Sequence, residues 1–337
     1  MSVRSQNGEP RLRVGTSGFS FADWVGPVYP KNLPRAMMLE YYEQVLGFDT
    51  VELNFTYYSM PKLHTMESLV KRTRDNFRFV VRSHREMTHD IWEEGGESNV
   101  ECPIPDTGSQ SARANTRSRA EGVRMPASRG RGRMKDLSMV FRQFREGLVP
   151  LMASGKLGCV LVQLPSFFWP SPDSRDYLAR LRERLPGVPV VVEFRNKAWV
   201  RDSTYRTLTE IGIGYCVVDE PQLPRLMPFD PRRTSDIAYF RFHGRNRHWF
   251  KASREERYNY LYSRDELADF VEPLEATISG ARQAFAFFNN CHAGAAARNA
   301  VMMKQLLGLV GQLSPEQERL VNGPAEAGPD EPELPLA

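Results

Sequence analysis

The sequence predicts a single-domain α/β fold, a (β/α)8 TIM barrel in which eight parallel strands alternate with helices. Short runs of aliphatic and aromatic residues recur along most of the 337-residue chain, as expected for strands that are buried on both faces. Amphipathic segments with helical periodicity lie between most of these runs. Eight such alternations favour a closed barrel over an open doubly wound sheet.

The apolar runs and the periodic segments assign the elements in chain order. Strands are predicted at residues 11–16, 49–54, 77–83, 158–164, 188–194, 213–219, 237–243 and 284–289. Amphipathic helices are predicted at residues 36–47, 63–73, 139–152, 175–185 and 300–310. Gly47 and Gly212 lie where helices are expected to end. The link at 221–234 is rich in proline, so we expect no full helix between the sixth and seventh strands.

The predicted barrel domain spans residues 11–310, contains one insertion and is flanked by two further stretches. Residues 93–135 follow the third strand, contain almost no aliphatic side chains and are rich in Ser, Arg, Gly and Pro. Such a composition cannot bury enough apolar surface to offset the entropy of ordering, which predicts a disordered insertion. Residues 1–10 are predicted to be an N-terminal extension, and 311–337 a flexible, acidic, proline-rich tail.

Bulk composition narrows the class of protein. The mean hydropathy is −0.47, no apolar run reaches the ~18 residues of a membrane span, and the N-terminus lacks a secretory signal, so no membrane partner is expected. The four cysteines form no CxxC pair, which argues against structural zinc and disulfides and favours a cytoplasmic location. No nucleotide-binding glycine pattern is present, and no cofactor is predicted. The oligomeric state is not indicated.

The end of the fifth predicted strand carries the most informative pair of residues. Glu193 and Arg195 close the apolar run at 188–192, and residues two apart share one face of a strand. Unpaired buried charge is costly, so a buried strand seldom ends in two charged residues without a use for them. We therefore expect a site at this end of the sheet.

The same polar pattern recurs at the ends of the other strands. In the second strand, Val51 and Leu53 are expected to pack against helices, which directs the polar residues that alternate with them into the barrel. Applied to every strand, this parity predicts a ring of polar groups at the C-terminal mouth. Its members are Thr16, Ser17, Glu52, Asn54, Arg82, His84, Gln163, Glu193, Arg195, Asp219, Arg241, His243, Asn289 and Asn290.

This ring suggests an enzyme, because active sites of such barrels lie at this mouth. Arg82, Arg195 and Arg241 are predicted to bind an anionic small molecule, phosphorylated or sugar-like, since guanidinium forks suit phosphate and carboxylate. Glu52 and Glu193 are predicted to be the catalytic acid and base. The other members would orient the substrate of a hydrolase, lyase or isomerase.

Three alternatives stay open at this stage. The charged residues could form a closed salt-bridge network that only holds the barrel together. The arginine-rich half of the insertion could bind nucleic acid, in a protein without catalysis. A divalent metal could be bound by Glu52, Glu193, Asp219 and His243, as in a metal-dependent hydrolase or isomerase. Nearby arginines would repel a cation, so no metal is predicted.

Seven segments, in order, resemble one known family. They read VGTSGFSFADWVGPVYPKNLP, YYEQVLGFDTVELNFTYYSMP, FRFVVRSHREMTH, VLVQLPSFF, VVVEFRNKAWV, AYFRFHGR and FFNNCHAGAAARNA. Together they resemble the YecE-like family, domain of unknown function 72, over residues 11–310 outside the insertion. The resemblance implies a TIM barrel in the bacterial or archaeal cytoplasm and no settled activity. The family's recurrent polar positions fall here on Thr16, Ser17, Glu52, Asn54, Gln163, Glu193, Arg195, Arg241, His243, Gly244, Asn289 and Asn290.

The chain departs from the family pattern at three places. The third strand ends in Val81-Arg82-Ser83-His84, where the family usually has a VKAP sequence. Arginine keeps the charge of that lysine but removes an amine able to form a Schiff base. The usual LPP after the fourth strand becomes Leu164-Pro165-Ser166, and Cys291 replaces the acid or threonine that follows FNN.

Overall fold

Eight parallel strands form one sheet. The structure, a computed structural model, describes residues 12–93, 134–224, 226–247 and 254–323, apart from the side chains of 254 and 255. The strands are β1 (Leu12–Thr16), β2 (Thr50–Leu53), β3 (Arg78–Arg82), β4 (Leu157–Gln163), β5 (Val190–Glu193), β6 (Gly214–Asp219), β7 (Ile237–Phe242) and β8 (Gln283–Phe288). Their order is β1-β8-β7-β6-β5-β4-β3-β2, and each lies within two residues of its predicted bounds. The predicted (β/α)8 barrel is confirmed.

Helices surround the sheet. Within the described residues they are α1 (Met38–Gln44), α2 (Leu63–Lys71), α3 (Ser138–Ala153), α4 (Pro172–Arg184), α5 (Asp202–Glu210), α6 (Arg254–Arg257), α7 (Arg264–Ala268), α8 (Val271–Ile278), α9 (Ala295–Leu306) and α10 (Pro315–Asn322). The helix predicted at 300–310 begins earlier, at Ala295, directly after Gly294 in the left-handed conformation. As predicted, the described part of the link between β6 and β7 contains no α-helix. No described helix is both long enough and apolar enough to span a bilayer.

The final helix, α10, lies where the sequence predicted a flexible tail. Ser314 and Gln317 form a reciprocal capping box, and Pro315 occupies the first turn, both of which favour a helix start. Leu320 is buried against the barrel, so the packed chain extends beyond residue 310. The acidic, proline-rich composition of this segment gave no sign of the two-turn helix. The predicted extension (1–10), almost all of the predicted insertion (94–133) and the end of the tail lie outside the described residues.

The two ends of the sheet, β1 and β2, meet through a side chain of α1. The Tyr42 hydroxyl accepts a hydrogen bond from the Thr16 backbone N–H (3.0 Å) and donates one to the Thr50 carbonyl (3.1 Å). Gly15 allows this close approach, because a Cβ at that position would collide with the Thr50 carbonyl. The barrel therefore closes where the sequence provides a glycine and a buried tyrosine.

Aromatic side chains fill the barrel interior below the mouth. The rings of Phe285 and Phe287 lie 6.1 and 5.5 Å from that of Tyr239, measured between centroids. Gly158 provides room on the facing strand, because a Cβ there would lie 2.7 Å from the Phe285 ring. The interior is thus a packed core, as in other barrels of this type. Polar side chains that point inward can collect only in a layer above it.

Candidate active site at the C-terminal mouth of the barrel

Arg241 on β7 is the centre of this polar layer and is only 1% exposed. Its Nη2 donates a hydrogen bond to Glu52 Oε1 (2.8 Å) and lies 3.4 Å from Ser17 Oγ. Its Nη1 donates to Gln163 Oε1 (3.0 Å) and to the Glu193 carboxylate. A single guanidinium thus connects β7 to the ends of β1, β2, β4 and β5, as the inward parity predicted.

Glu193 is fully buried and ion-paired with two arginines. Besides Arg241, it accepts a hydrogen bond from Arg195 Nη1 at 2.9 Å. Burial alone would raise the pKa of Glu193, but Arg241, His243 and Arg195 together hold it well below its ordinary value. The carboxylate therefore stays ionised at neutral pH, which suits it to position arginines and makes it a poor proton donor.

Glu52 is the matching carboxylate on the other side of Arg241. It is fully buried, and it accepts hydrogen bonds from Arg241 and from the Tyr239 hydroxyl (2.7 Å). Both of its oxygens therefore have partners within the barrel. The two residues that the sequence nominated as acid and base are the two that hold Arg241 in place.

His243 lies between Glu193 and the end of β8. Its Nδ1 accepts a hydrogen bond from the Asn289 side-chain nitrogen (2.9 Å). Its Nε2 lies 3.0 Å from Arg195 Nη1 and 3.2 Å from Glu193 Oε1. Burial, then the charge of Arg195, lowers the His243 pKa to about 3, so the imidazole is neutral at neutral pH.

The structure does not bring Asp219, the sixth-strand residue predicted for the ring, into this cluster. Its carboxylate faces outward and accepts hydrogen bonds from Arg245 (Nη2, 2.8 Å) and the Tyr262 hydroxyl (2.6 Å). The next residue, Glu220, has the inward parity, and its Oε2 lies 3.6 Å from Arg195 Nη2. Two adjacent acids at a strand end cannot be told apart by composition, and here the second one faces the mouth.

Glu220 is a different kind of carboxyl from Glu193. It is fully buried, its Oε1 accepts a hydrogen bond from the backbone N–H of Met227 (2.7 Å), and its Oε2 has no hydrogen-bond partner among the described residues. Burial raises its pKa although Arg195 opposes the shift. A buried carboxyl with a raised pKa is better suited to carry a proton than one held ionised by two arginines.

Arg82, at the end of β3, differs from the other arginines of the cluster. It has no carboxylate partner among the described residues, and its Nε, like that of Arg241, makes no hydrogen bond there. The guanidinium carbon lies 4.1 Å from the centre of the Tyr57 ring, a cation–π arrangement. Burial, and then repulsion from Arg241, lowers the Arg82 pKa. Its donors remain available to an external acceptor.

Two of the predicted ring residues, Thr16 and Asn54, hold the loop after β1. The Thr16 hydroxyl donates to the Gly18 carbonyl (2.7 Å), and the Asn54 amide donates to the Ser17 carbonyl (3.1 Å). They shape the edge of the mouth and direct Ser17 toward the centre. Their polar character is explained by this backbone support.

Two more of the predicted residues, Asn290 and His84, point away from the cluster. The Asn290 amide nitrogen donates to the Tyr260 carbonyl (2.8 Å) on the outer side of β8. His84 Nδ1 accepts a hydrogen bond from the Glu86 backbone N–H (3.4 Å) at the start of a short 3-10 helix. Of the two adjacent asparagines after β8, Asn289 alone joins the cluster.

Four aromatic side chains beside Arg82 were not singled out from the sequence. We call Tyr57, Tyr58, His89 and Phe167 the aromatic rim. Tyr57 lies 4.9 Å from Tyr58 and 5.3 Å from His89, and His89 lies 6.2 Å from Phe167, all between ring centroids. The sequence indicates these residues only by their position, since each follows the end of the second, third or fourth strand.

The ligands proposed for a metal are not brought together, because Asp219 pairs with Arg245 outside the ring that holds Glu52 and Glu193. Across the described ranges, no group of three or more His, Cys, Asp or Glu side chains is placed to hold a metal ion. At the other end of the barrel lies an open groove of about 550 Å³, lined by Thr209, Arg233, Asp236 and other residues. The polar cluster lies at the end where barrels of this type have their active sites.

The fold and the site define a (β/α)8-barrel protein with a buried arginine–carboxylate cluster at its C-terminal mouth. Comparison with known families assigns the chain more closely. Residues 13–321 match the family described as "Protein of unknown function DUF72", so the chain belongs to the DUF72 family. The resemblance found in the sequence motifs is confirmed.

Three known proteins are similar to this chain. The UPF0759 protein YunF of Bacillus subtilis (strain 168) is 28% identical over 319 residues, which cover 91% of this chain and 98% of that protein. The crystal structure of the DUF72 family protein TM1631 from Thermotoga maritima is 39% identical, with a TM-score of 0.73, over 88% of this chain and 99% of that one. A DUF72 family protein (EF0366) from Enterococcus faecalis V583 is 26% identical, with a TM-score of 0.67, over 90% and 98%.

We expect the Arg241→Met variant to lose about 3–5 kcal/mol of unfolding free energy, because it leaves Glu52 and Glu193 buried without their shared partner. Urea denaturation of the purified variant measures this loss. The matched control adds Glu52→Gln and Glu193→Gln to the same chain, which removes the unpaired charges and should restore much of the stability. If the unfolding free energy of Arg241→Met alone lies within about 1 kcal/mol of the wild-type value, the central role of Arg241 is contradicted.

We expect His243 to make stability depend on pH on the acid side. The imidazole takes up a proton near pH 6.5 in the unfolded chain but only near pH 3 in the folded protein. The unfolded state therefore binds more protons between these values, and stability falls as pH drops, by about 1.4 kcal/mol per pH unit from this residue. Urea denaturation at pH 7, 6 and 5 should show a shallower fall for His243→Gln. The control is His64→Gln, because His64 is exposed. Equal slopes of stability against pH for the wild type and both variants would contradict the assignment to His243.

Proposed function

We propose that this protein is a TIM-barrel enzyme that acts on an anionic small molecule, phosphorylated or sugar-like, bound at the C-terminal mouth. The proposal rests on the difference in ion pairing among the three arginines of the mouth. Arg241 and Arg195 each pair with two carboxylates, whereas Arg82 pairs with none among the described residues. A half-buried guanidinium without a counter-ion is costly unless an anion from outside offsets it.

The order of charges in the cluster supports the same conclusion. The ion pairs form an alternating chain, Glu52–Arg241–Glu193–Arg195–Glu220, in which each arginine lies between two acids. Glu220, at one end of this chain, has a raised pKa because it is buried and has a single arginine neighbour. When Glu220 is protonated, the four remaining charges cancel and the charge of Arg82 is left over. The mouth then favours an anion.

Three further side chains at the mouth can reach a bound molecule. Gln163, Arg195 and Asn289 are partly exposed, and the Arg195 side chain keeps 15% of its surface accessible. Arg82 and Arg195 would bind the anionic group through charge-assisted hydrogen bonds, while the two amides orient the rest of the molecule. In this proposal, Glu52 and Glu193 act by holding Arg241 and Arg195 in place.

Proton transfer falls to Glu220 in this proposal, which changes the roles suggested by sequence alone. Glu193 is kept ionised by Arg241 and Arg195, whereas burial favours the protonated form of Glu220. A carboxyl of this kind can give its proton to a substrate oxygen beside the anion-binding arginines and take it back in a later step. Because a protonated Glu220 is required, turnover should decline as pH rises through its raised pKa.

We expect Arg82→Met to lose affinity for inorganic phosphate by about 10- to 100-fold, which corresponds to one charged hydrogen-bonding group. Unfolding free energy should stay equal or rise, since the variant removes a half-buried cation that has no carboxylate partner among the described residues. Thermal melts in rising phosphate measure both effects. Arg180→Met on α4, which removes a half-exposed arginine, is the control. Equal phosphate protection of Arg82→Met and wild type would contradict the proposal.

We expect the wild-type protein to convert at least one compound from a panel of sugar phosphates and other phosphate monoesters, followed by ³¹P NMR. Glu220→Gln should bind the same compound but turn it over at least 100-fold more slowly, because the amide cannot exchange the proton. Arg180→Met should behave like wild type. If phosphate protects the wild type while no compound in the panel changes, the mouth is a binding site without catalysis, and the enzyme assignment fails.

A further inference from the structure

The aromatic rim beside Arg82 has a feature that the anion site does not explain. Phe167 is 52% exposed and Tyr58 is 54% exposed, although both belong to a connected row of rings. Large aromatic side chains are costly to leave in water, and exposed ones beside a pocket often serve recognition. The row starts at the guanidinium of Arg82 and ends at Phe167, so it leads directly from the proposed anion site to an apolar surface.

The row is built to present ring surface. Tyr57 already uses one face to support the Arg82 guanidinium. His89 keeps Nδ1 in a hydrogen bond with the Thr88 hydroxyl (2.8 Å), and burial followed by the charge of Arg82 lowers its pKa to about 4, so its ring is neutral at neutral pH. Phe167 contributes only carbon. A ligand over Phe167 therefore meets aromatic, uncharged surface.

We infer that the ligand carries a planar aromatic ring one short linkage away from its anionic group. The anion binds Arg82, and the ring packs against Phe167 at the outer end of the aromatic rim. This inference rests on the proposed anion site and narrows its substrate class to aryl or heteroaryl phosphates and related anions. A sugar phosphate is less suited to this surface, because a sugar ring needs hydrogen-bonding groups beside the aromatic face.

The test compares three probes by isothermal titration calorimetry. They are inorganic phosphate, phenyl phosphate and cyclohexyl phosphate, of which the last has a ring of similar apolar area but no π face. We expect phenyl phosphate to bind the wild type about 3- to 10-fold more tightly than either of the other two probes, as one aromatic contact provides beyond its buried area. Equal affinities for phenyl and cyclohexyl phosphate would overturn the inference.

Two variants at one position separate the ring from the anion site. Phe167→Leu should lose the preference for phenyl phosphate and keep its affinity for inorganic phosphate. Phe167→Tyr, which retains the ring, should keep the preference. A preference that survives in Phe167→Leu would show that the ring binds elsewhere and overturn the assignment. If inorganic phosphate binds wild type and Arg82→Met equally, the proposed anion site fails, and with it the inference.

Discussion

The whole mouth of this barrel depends on one buried guanidinium. Arg241 lies between two fully buried carboxylates, Glu52 and Glu193, and both would lose their shared ion-pair partner without it. Because its partners come from strands far apart in the sequence, the same contacts fix the relative position of those strand ends. At this face, the ion pairs and the relative positions of the strand ends therefore depend on each other.

Such a network has consequences for function. Its charges are used in pairs, except that Arg82 has no carboxylate partner among the described residues, and Glu220 Oε2 accepts no hydrogen bond there. A guanidinium without a carboxylate partner and a carboxyl of raised pKa at one mouth of the barrel are the two components of acid-assisted chemistry on an anion. Glu52 and Glu193, which the sequence suggested as the catalytic acid and base, instead hold Arg241 in place. Structural and chemical roles are thus divided between acids of the same cluster.

The sequence predicts this architecture well where parity is unambiguous. On β2 and over residues 239–243 at the end of β7, polar and apolar residues alternate, and Glu52, Arg241 and His243 are found facing inward. On β6 the prediction selected Asp219, because a buried strand that ends in two adjacent acids gives no sign of which one faces the mouth. Pairing is likewise invisible in a sequence. Arg82, Arg195 and Arg241 are indistinguishable in the sequence, and only the fold shows that Arg82 has no carboxylate partner among the described residues.

A crystal structure of the wild-type protein in complex with phosphate tests the central claim most directly. We predict a phosphate within hydrogen-bonding distance of the Arg82 guanidinium, at the edge of the aromatic rim, with Arg241 still held between Glu52 and Glu193. An Arg82 guanidinium that is paired with a carboxylate of the chain, and a mouth without phosphate, would contradict this account. The position of the bound phosphate would thus show which arginine is available to bind a ligand.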